Sequence, residues 1–444
     1  MGLPVTSVPS RTQRRQPRPA SLEVGEFDDH GTARAQLEHR SVEVEHGIPG
    51  ETVAAMVYGR RRQWAKILEI EERSPHRVEA PCPHFHQGCG GCQWQMLDYR
   101  NQLERKLQRS NAELRRAGIG LDITRLHPMD HPWRYRVTAG ISLGHAAGFR
   151  RHGSQSIVGL TDCPIAHPLI GDVAAHINRQ LEAGALPNFR GDMVVEVRVL
   201  EAGSADSLHL AIVPSPGSQH ASIDQVLPLA KSLARLPAVA GIVYRHRQEL
   251  PQLIFGEPYG TTVIEGRRFA VSAATFLQTN TRMLPALLRS MSEAHRSVSG
   301  EVVVDVYGGV GLFGLFRAHD GARVIEIELD PVGIEAAQLS AQWQNLDSVE
   351  FRAGTAETVM GRIEHADTVI VDPPRSGLTP KVVDAIGRLR PHRILYVSCL
   401  ARSLARDIVD LARFGYRPGC VEAFDFYPQT YHVELFSPLE LVDG

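Results

Sequence analysis

Cysteine residues are the first side chains in this sequence whose type and spacing could do chemistry. The chain has six of them, and Cys82, Cys89 and Cys92 lie within eleven residues in the segment PCPHFHQGCGGCQWQ. The glycines of this segment let the backbone fold around a metal centre with thiolate ligands. So few cysteines in 444 residues argue against a disulfide framework. A redox pair of Cys89 and Cys92 lacks the expected strand-to-helix setting, so a metal centre is favoured.

Glycines and acids in the C-terminal half have the spacing of a cofactor site. Gly309, Gly311 and Gly314 follow the strand-like run EVVVDV with the spacing G-x-G-x-x-G, which also fits an NAD-binding domain. Glu328 ends the next strand, where an acid can hold ribose hydroxyls, and Asp372 lies in VDPPR after another strand. The carboxyl ends of such strands meet at one crevice. Because NAD enzymes need no Asp-Pro-Pro there, we expect S-adenosylmethionine.

A candidate nucleophile and a candidate base lie further along the chain. Cys399 ends the strand-like run ILYVSC, where a cysteine is either inert filler or projects into the crevice. A thiolate that attacks C6 of uracil makes C5 reactive towards a methyl sulfonium, and a base must then remove the C5 proton. Glu434 in YHVELF is the candidate base, with a salt-bridged edge residue as the alternative. Cys420 lies away from the expected strand ends and is interpreted as structural.

Alternating strands and helices must position these side chains. From residue 266 to the end, the runs EVVVDV, RVIEIE, VEFR, DTVIVD and ILYVS predict an α/β domain whose parallel sheet is covered on both faces. The segment CVEAFDFYPQTYHVELF predicts an antiparallel hairpin that closes this Rossmann-like sheet.

Shorter strands precede this domain. The runs 42–44, 52–57 and 64–70 predict a small antiparallel barrel over residues 21–80, a type that often carries single-stranded nucleic acid. An amphipathic helix of about six turns is expected to end at Gly118. Residues 81–265 are predicted as a β-rich central domain with helices near 167–184 and 223–235. Residues 1–20, with four arginines and four prolines, are expected to be a disordered basic tail.

Composition restricts the class of protein. Apolar residues make up 43 % and charged residues 22 %, which is typical of soluble globular chains, and no run approaches the roughly 18 apolar residues of a membrane helix. We expect a cytoplasmic protein without a membrane partner. Because the net charge is only −2, nucleic-acid binding would depend on local basic clusters. The candidate clusters are Arg60, Arg61 and Arg62; Arg105, Lys106 and Arg109; Arg150 and Arg151; and Arg245 and Arg247.

The motifs together resemble one enzyme family. DVYGGVG, VDPPRSGL, YVSC followed by LARDI, and FYPQTYHVE occur in the order seen in uridine-C5 RNA methyltransferases, which make 5-methyluridine in tRNA or ribosomal RNA. CPHF-x-x-GCGGCQWQ resembles the iron–sulfur segment of the ribosomal RNA branch, and residues 21–80 resemble its TRAM barrel. The resemblance covers nearly the whole chain after residue 20.

The resemblance implies site residues, cofactors and partners. Cys399 would be the nucleophile and Glu434 the base. S-adenosylmethionine would lie among Gln278, Tyr307, Glu328 and Asp372, and a [4Fe–4S] cluster would be ligated by Cys82, Cys89, Cys92 and Cys163. Cys163 is assigned as a ligand only from the resemblance, and a zinc ion bound by the four cysteines stays an alternative. The expected enzyme is a monomer that acts on ribosomal RNA rather than tRNA, on a uridine flipped out of its RNA structure. Phe276 and Tyr307 are candidate neighbours of the flipped base or the adenine.

Some residues depart from the family pattern. Gly308 stands where cysteine is usual and is expected to change little. Leu312, Thr355 and Leu400 replace an asparagine, an acid and an asparagine, so adenosine contacts and the order of the nucleophile loop are in question. Two other functions stay open: methylation of an exocyclic amine, and RNA binding without catalysis. A covalent protein–RNA adduct would distinguish uridine-C5 methylation from both of these functions.

Overall fold

A computed structural model describes residues 17–442 of the chain, apart from 124, 204, 216–222 and 247–248. The chain divides into two compact units, one of residues up to Ala80 with Gln93–Asn101, the other of Pro81–Cys92 with the chain from Gln102 onwards. The proposed boundary between a central domain and a methyltransferase domain at residue 265 lies inside the second unit and stays a prediction. Among the described helices, none has the length and apolar character needed to cross a membrane.

The first unit contains a closed five-stranded barrel. Its strands are β1 Arg18–Phe27, β2 Ala33–Leu37, β3 Arg40–Glu45, β4 Thr52–Tyr58 and β5 Gln63–Glu72, in the order β1-β2-β3-β5-β4. Alternate residues such as Val42, Val44 and Val53 fill its interior. The predicted barrel is confirmed, except that β3 and β5 pair in parallel. Of the predicted tail, residues 18–20 belong to β1, and residues 1–16 lie outside the described residues.

The first part of the second unit is rich in strands, as predicted. A seven-stranded sheet has the order β13-β12-β11-β10-β7-β8-β9, and β14 pairs with β15. The strands are β6 Arg125–His127, β7 Thr138–Leu143, β8 Ala147–Arg150, β9 Ile157–Gly159, β10 Met193–Leu200, β11 Ser207–Pro214, β12 Val239–Tyr244, β13 Gln252–Gly256, β14 Gly260–Ile264 and β15 Arg267–Val271. The helices are α1 Pro83–His86, α2 Tyr99–Arg116, α3 Pro168–Glu182 and α4 Ile223–Leu233. With 18 residues, α2 has about five turns instead of six.

The last part of the second unit builds the predicted α/β sheet. Its strands are β16 Val302–Val306, β17 Arg323–Glu328, β18 Val349–Ala353, β19 Thr368–Val371, β20 Arg393–Ser398, β21 Tyr416–Pro418, β22 Glu422–Phe424 and β23 Glu434–Leu441. A short 3-10 helix, Thr281–Met283, precedes the helices α5 Leu284–Ala294, α6 Leu312–His319, α7 Pro331–Trp343, α8 Ala356–Met360, α9 Pro380–Leu389 and α10 Ala401–Ala412.

This nine-stranded sheet has the order β18-β17-β16-β19-β20-β23-β22-β6, with β21 beside β23. Strands β16 to β20 run parallel and are buried on both faces: in β19, Ile370 packs into one core, while Val369 and Val371 pack into another. β22 and β23 form the predicted antiparallel closure. The short strand β6 also joins the sheet, in parallel with β22, which the sequence did not predict.

Candidate active site

The carboxyl ends of four parallel strands bring the predicted site residues to one edge of the sheet. Tyr307 follows β16, Glu328 ends β17, Asp372 follows β19 and Cys399 follows β20. The parallel pairings of β16 with β17 and β19, and of β19 with β20, keep these ends level. The structure therefore brings these residues together at one edge of the sheet, where a ligand crevice is expected.

Strand β23 brings Glu434 to Cys399. β20 and β23 are antiparallel, and Ser398 pairs with Leu435. Cys399 and Glu434 are the residues next to this last pair of the ladder, and the charge of Glu434 acts on the Cys399 thiol. Burial raises the pKa of the Cys399 thiol to about 11, with further contributions from the carboxylates of Glu434 and Asp372. The candidate nucleophile and the candidate base are thus neighbours.

The Glu434 side chain is buried without a partner. It is 1 % exposed, and neither carboxyl oxygen accepts a hydrogen bond from any described residue. Burial, and then the charge of Asp372, raise the pKa of Glu434 well above its usual value. In the described part of the chain it forms no ion pair, so the geometry does not favour the salt-bridged alternative. A buried carboxylate without partners can accept a proton from a nearby ligand.

Arg375, to which the sequence analysis assigned no role, supplies positive charge at this edge. Its charge opposes the upward shifts in the pKa values of Cys399 and Glu434. Its guanidinium donates a hydrogen bond to Nε2 of His432 at 3.2 Å. Burial, followed by the charge of Arg375, lowers the pKa of His432 to about 3. His432 is therefore a neutral hydrogen-bond acceptor. The sequence could have indicated its place at the site, because it lies two residues before Glu434.

The glycine loop after β16 is held by two acids. Gly314 donates its backbone N–H to Asp305 Oδ2 at 2.6 Å, and Gly309 donates to Glu328 Oε2 at 2.9 Å. The other Glu328 oxygen accepts the Asp330 N–H at 2.7 Å. Gly309 has a positive φ of 62°, which favours glycine at this turn. Glu328 thus fixes the loop as well as standing where a ribose would lie.

Gln278 and Asp372 meet although they are 94 residues apart. Gln278 Nε2 donates to Asp372 Oδ2 at 3.2 Å, and burial raises the pKa of Asp372. Arg198 holds the segment before Gln278 by donating to the backbone carbonyls of Thr275 and Leu277 at 3.4 and 3.2 Å. Phe276 in the same segment is left 65 % exposed beside the glycine loop, so it is placed to contact a planar ligand.

The structure explains why glycine stands at position 308, which the sequence analysis did not. A Cβ atom at position 308 would lie 1.7 Å from Glu326 Oε1, so the glycine makes room for this buried carboxyl. Glu326 is 0 % exposed, and burial followed by the charge of Asp305 raises its pKa well above the usual value. Glycine replaces the usual cysteine at position 308 because a larger side chain there would clash with Glu326 on β17.

The other departures have local roles. Leu312 is buried at the start of α6, and Thr355 caps α8 by accepting the Thr358 N–H at 3.3 Å. Leu400 is 39 % exposed, and its N–H donates to Ser398 Oγ at 3.3 Å. Ser398 therefore contributes to the order of the nucleophile loop.

The four predicted metal ligands gather in the second unit. Cys82 and Cys163 are buried, and Cys89 and Cys92 are half-buried. Burial raises the pKa of Cys89 to about 11, and the nearby thiols of Cys163 and Cys82 raise it further. Cys92 and Cys163 both lie within electrostatic reach of Arg136. Within the described residues, however, no three or more histidine, cysteine, aspartate or glutamate side chains form a group that could hold a metal ion. The predicted metal centre is therefore not confirmed.

The predicted basic clusters differ in the exposure and pairing of their side chains. Arg60 and Arg61, with Arg40 and Ser41, line an open cavity of about 450 Å³ on the barrel. Lys106 is buried, so it is not part of a basic surface. Arg245 is 8 % exposed and pairs with Asp330 at 2.6 Å, and Arg247 lies outside the described residues.

Comparisons with known proteins match the chain to RNA methyltransferases. A family model described as tRNA (uracil-5-)-methyltransferase matches residues 252–440. An RNA methyltransferase from Caldanaerobacter subterraneus subsp. tengcongensis is 31 % identical over 95 % of this chain and 98 % of its own. One from Synechocystis sp. is 30 % identical over 95 % of this chain and 96 % of its own.

A solved structure shows the same fold. It is the Pyrococcus abyssi tRNA (uracil-54, C5)-methyltransferase in complex with S-adenosyl-L-homocysteine, with a TM-score of 0.73 and 24 % identity. The match covers 95 % of this chain and 100 % of that one. From the family model, the full-length relatives and this fold, the chain belongs to the uridine-C5 RNA methyltransferase family, whose members are S-adenosylmethionine-dependent enzymes.

Proposed function

We propose that the protein methylates C5 of a specific uridine in ribosomal RNA through a covalent bond between Cys399 and C6. The observation that carries this proposal is that Cys399 follows the last residue pair of β20 and β23, beside the buried Glu434, whose carboxyl oxygens have no hydrogen-bond partner among the described residues. Methylation of an exocyclic amine requires neither a thiol nor a base in this arrangement. The ribosomal substrate rests on the resemblance of the cysteine segment to the ribosomal RNA branch.

The residues of the site act in sequence. S-adenosylmethionine, when bound, supplies an electrophilic methyl group. The Cys399 thiolate adds to C6, and the displaced electron pair makes an enolate that attacks the methyl group through C5. Glu434 then removes the C5 proton, the C5–C6 double bond re-forms, and the thiolate leaves. The displaced electron pair remains in the new C5–methyl bond, and the sulfur of the methyl donor keeps the pair of the bond that breaks. The pair of the C5–H bond re-forms the double bond, and the pair of the C6–sulfur bond returns to the thiolate.

The thiol of Cys399 must lose its proton before it can attack. Its pKa of about 11 means that most of the free protein holds the neutral thiol near pH 7. Arg375 opposes this shift, and a bound sulfonium adds a second positive charge near the thiol. Binding of the methyl donor therefore favours the Cys399 thiolate, so the thiolate forms mainly when the donor is bound.

Glu328, which holds the glycine loop, is proposed to contact the cofactor. We expect Glu328→Ala to weaken S-adenosylmethionine binding about 10- to 100-fold, because charge-assisted hydrogen bonds contribute about 1.5–3 kcal/mol each. Calorimetric titration measures this, with the exposed Glu364→Ala as the matched control. Equal affinity of both variants, or tighter binding of NAD than of S-adenosylmethionine, would reject the assignment.

The cysteine group is proposed to ligate a [4Fe–4S] cluster through Cys82, Cys89, Cys92 and Cys163. The support is that Cys89 lies within electrostatic reach of Cys82 and of Cys163, which comes from a distant segment of the chain. A cubane cluster spreads its four thiolates over separate iron atoms, whereas zinc needs all four on one atom. A cluster bound there would tie residues 81–92 to Cys163.

The barrel is proposed to contact RNA through the surface that carries Arg40, Arg60 and Arg61. Beside the arginine run, Trp64 is 41 % exposed and stacks on Tyr58 with ring centroids 4.3 Å apart. Arginines attract phosphates, and an exposed aromatic ring offers a face on which a base can stack.

The function itself is tested by methyl transfer to natural RNA. Purified protein is incubated with S-adenosylmethionine and ribosomal RNA or tRNA from a strain that lacks the enzyme, and nucleosides are identified by mass spectrometry. We expect 5-methyluridine in ribosomal RNA. 5-methyluridine in tRNA alone would overturn the substrate, an N-methylated base would support the exocyclic-amine alternative, and no transfer would leave RNA binding without catalysis.

A further inference from the structure

Residues 425–430, between β22 and β23, form a loop that is fixed from several sides. The buried Lys106 on α2 donates to Asp425 Oδ1 at 2.6 Å and to the Tyr427 carbonyl at 2.9 Å. Tyr135 donates its hydroxyl to the Pro428 carbonyl at 2.9 Å, and Gln102 exchanges two hydrogen bonds with Gln429. The backbone of Tyr427 is thus rigidly placed next to the catalytic strand.

The side chain of Tyr427 packs against His432, the residue that Arg375 binds at the edge of the active site. Its ring lies edge-on to His432, with centroids 5.9 Å apart, and is half-buried. Burial raises the pKa of Tyr427 well above its usual value, and the next contributions come from Glu434, Cys399 and Asp372. These three groups therefore lie within electrostatic reach of the Tyr427 phenol.

The Tyr427 hydroxyl is available to a ligand. It makes no hydrogen bond with any of the described residues, and it is not among their buried unpartnered polar atoms. By contrast, the hydroxyls of Tyr135 and Tyr416 donate to backbone carbonyls, each at 2.9 Å. Two other donors at the site are engaged: Gln278 binds Asp372, and Arg375 binds His432.

We propose that Tyr427 is a further catalytic residue whose hydroxyl donates a hydrogen bond to the O4 atom of the target uracil. This inference rests on the proposed C5 methylation. When the Cys399 thiolate adds to C6, negative charge develops on O4. A neutral phenol held in a water-poor site stabilises that charge more than it stabilises the ground-state carbonyl, because the interaction strengthens as charge develops. Tyr427 forms and breaks no covalent bond in this step.

The test is Tyr427→Phe, which keeps the ring and removes the donor. We expect kcat for 5-methyluridine formation to fall on the order of 100-fold, as for the loss of one oxyanion donor, with KM for RNA changed by less than about threefold. Tyr431→Phe is the matched control, because Tyr431 directly follows this loop and its ring also contacts His432, with centroids 4.0 Å apart. It should retain wild-type kcat.

A second measurement isolates the addition step. RNA that carries 5-fluorouridine cannot lose a proton from C5, so an adduct accumulates after methyl transfer. Tyr427→Phe should form this adduct more slowly by the same factor as kcat, while S-adenosylmethionine binding stays at the wild-type value and shows that the variant is folded.

The outcomes separate this inference from the proposed function. Wild-type kcat in Tyr427→Phe, with an active wild-type protein, would overturn the role of Tyr427 and leave C5 methylation intact. Absence of 5-methyluridine with the wild-type protein would instead reject the proposed function. Equal losses in Tyr427→Phe and Tyr431→Phe would also overturn the role, because they would indicate a general packing effect.

Discussion

Glu434→Gln should accumulate a protein–RNA adduct that survives denaturing gel electrophoresis, whereas Cys399→Ala should form none. Glutamine fits the buried position, which is 1 % exposed, but its amide cannot take up the C5 proton. The nucleophile and the methyl donor remain, so the reaction should stop after methyl transfer, with the C6–sulfur bond intact. Without the thiol no addition takes place, although RNA should still bind.

The controls use the other cysteine and the product. The exposed Cys420→Ala should behave as the wild-type protein, with full turnover and no trapped adduct. Product formation by Glu434→Gln should fall at least about 100-fold, in the range of lost general-base catalysis. A well-folded Cys399→Ala protein that still makes 5-methyluridine at a comparable rate would contradict the mechanism. Two unstable variants without any adduct would indicate a shared structural role instead.

Protein purified without oxygen should carry iron and sulfide in about four-to-four proportion and be brown, as expected for a cubane cluster. Cys163→Ser should lose most of this iron, because it removes the one ligand that lies outside residues 82–92. The matched variant Cys420→Ser should keep it, since Cys420 is exposed and its shifted pKa shows no influence from the other thiols. Iron and sulfide analysis, with the visible absorption spectrum, gives the result.

Other outcomes of the metal analysis have clear meanings. A colourless protein with one tightly bound zinc ion, lost in Cys163→Ser, would decide for the zinc alternative. Retention of iron and sulfide by Cys163→Ser would show that the four-cysteine set is wrong. A metal-free, folded and active protein would mean that the gathered thiols have no metal role.

Much of the catalytic domain could be predicted because its signals are local. A β-branched run followed by a polar residue, as in DTVIVD, marks both a buried strand and the residue that follows its carboxyl end. Parallel strands place those ends at one edge, so the proximity of Asp372 and Cys399 follows from the order of strands and helices. The barrel strands and the helices near 167–184 and 223–235 were predicted from the same kind of short-range pattern.

Contacts between distant segments could not be predicted in this way. The three residues of β6 carry too little pattern to indicate a strand, and they join the catalytic sheet only through pairing with β22, almost 300 residues later. Lys106 has the charge of a surface residue, but its buried partner Asp425 lies 319 positions along the chain. Among the described residues, the four predicted ligands do not form a metal-ion group, which spacing alone did not reveal.

The sequence by itself therefore determined the order of strands, the cofactor edge and the identity of the thiol and carboxyl groups, because those depend on periodicity and residue type. Only the tertiary structure decided which groups face each other and in what charge state. The register of β23 brings Glu434 beside the end of β20, a fixed loop holds Tyr427 within electrostatic reach of Glu434 and Cys399, and Gly308 leaves space for Glu326. Register, burial and electrostatic environment are properties of packed neighbours, and those neighbours come from segments far apart in the chain.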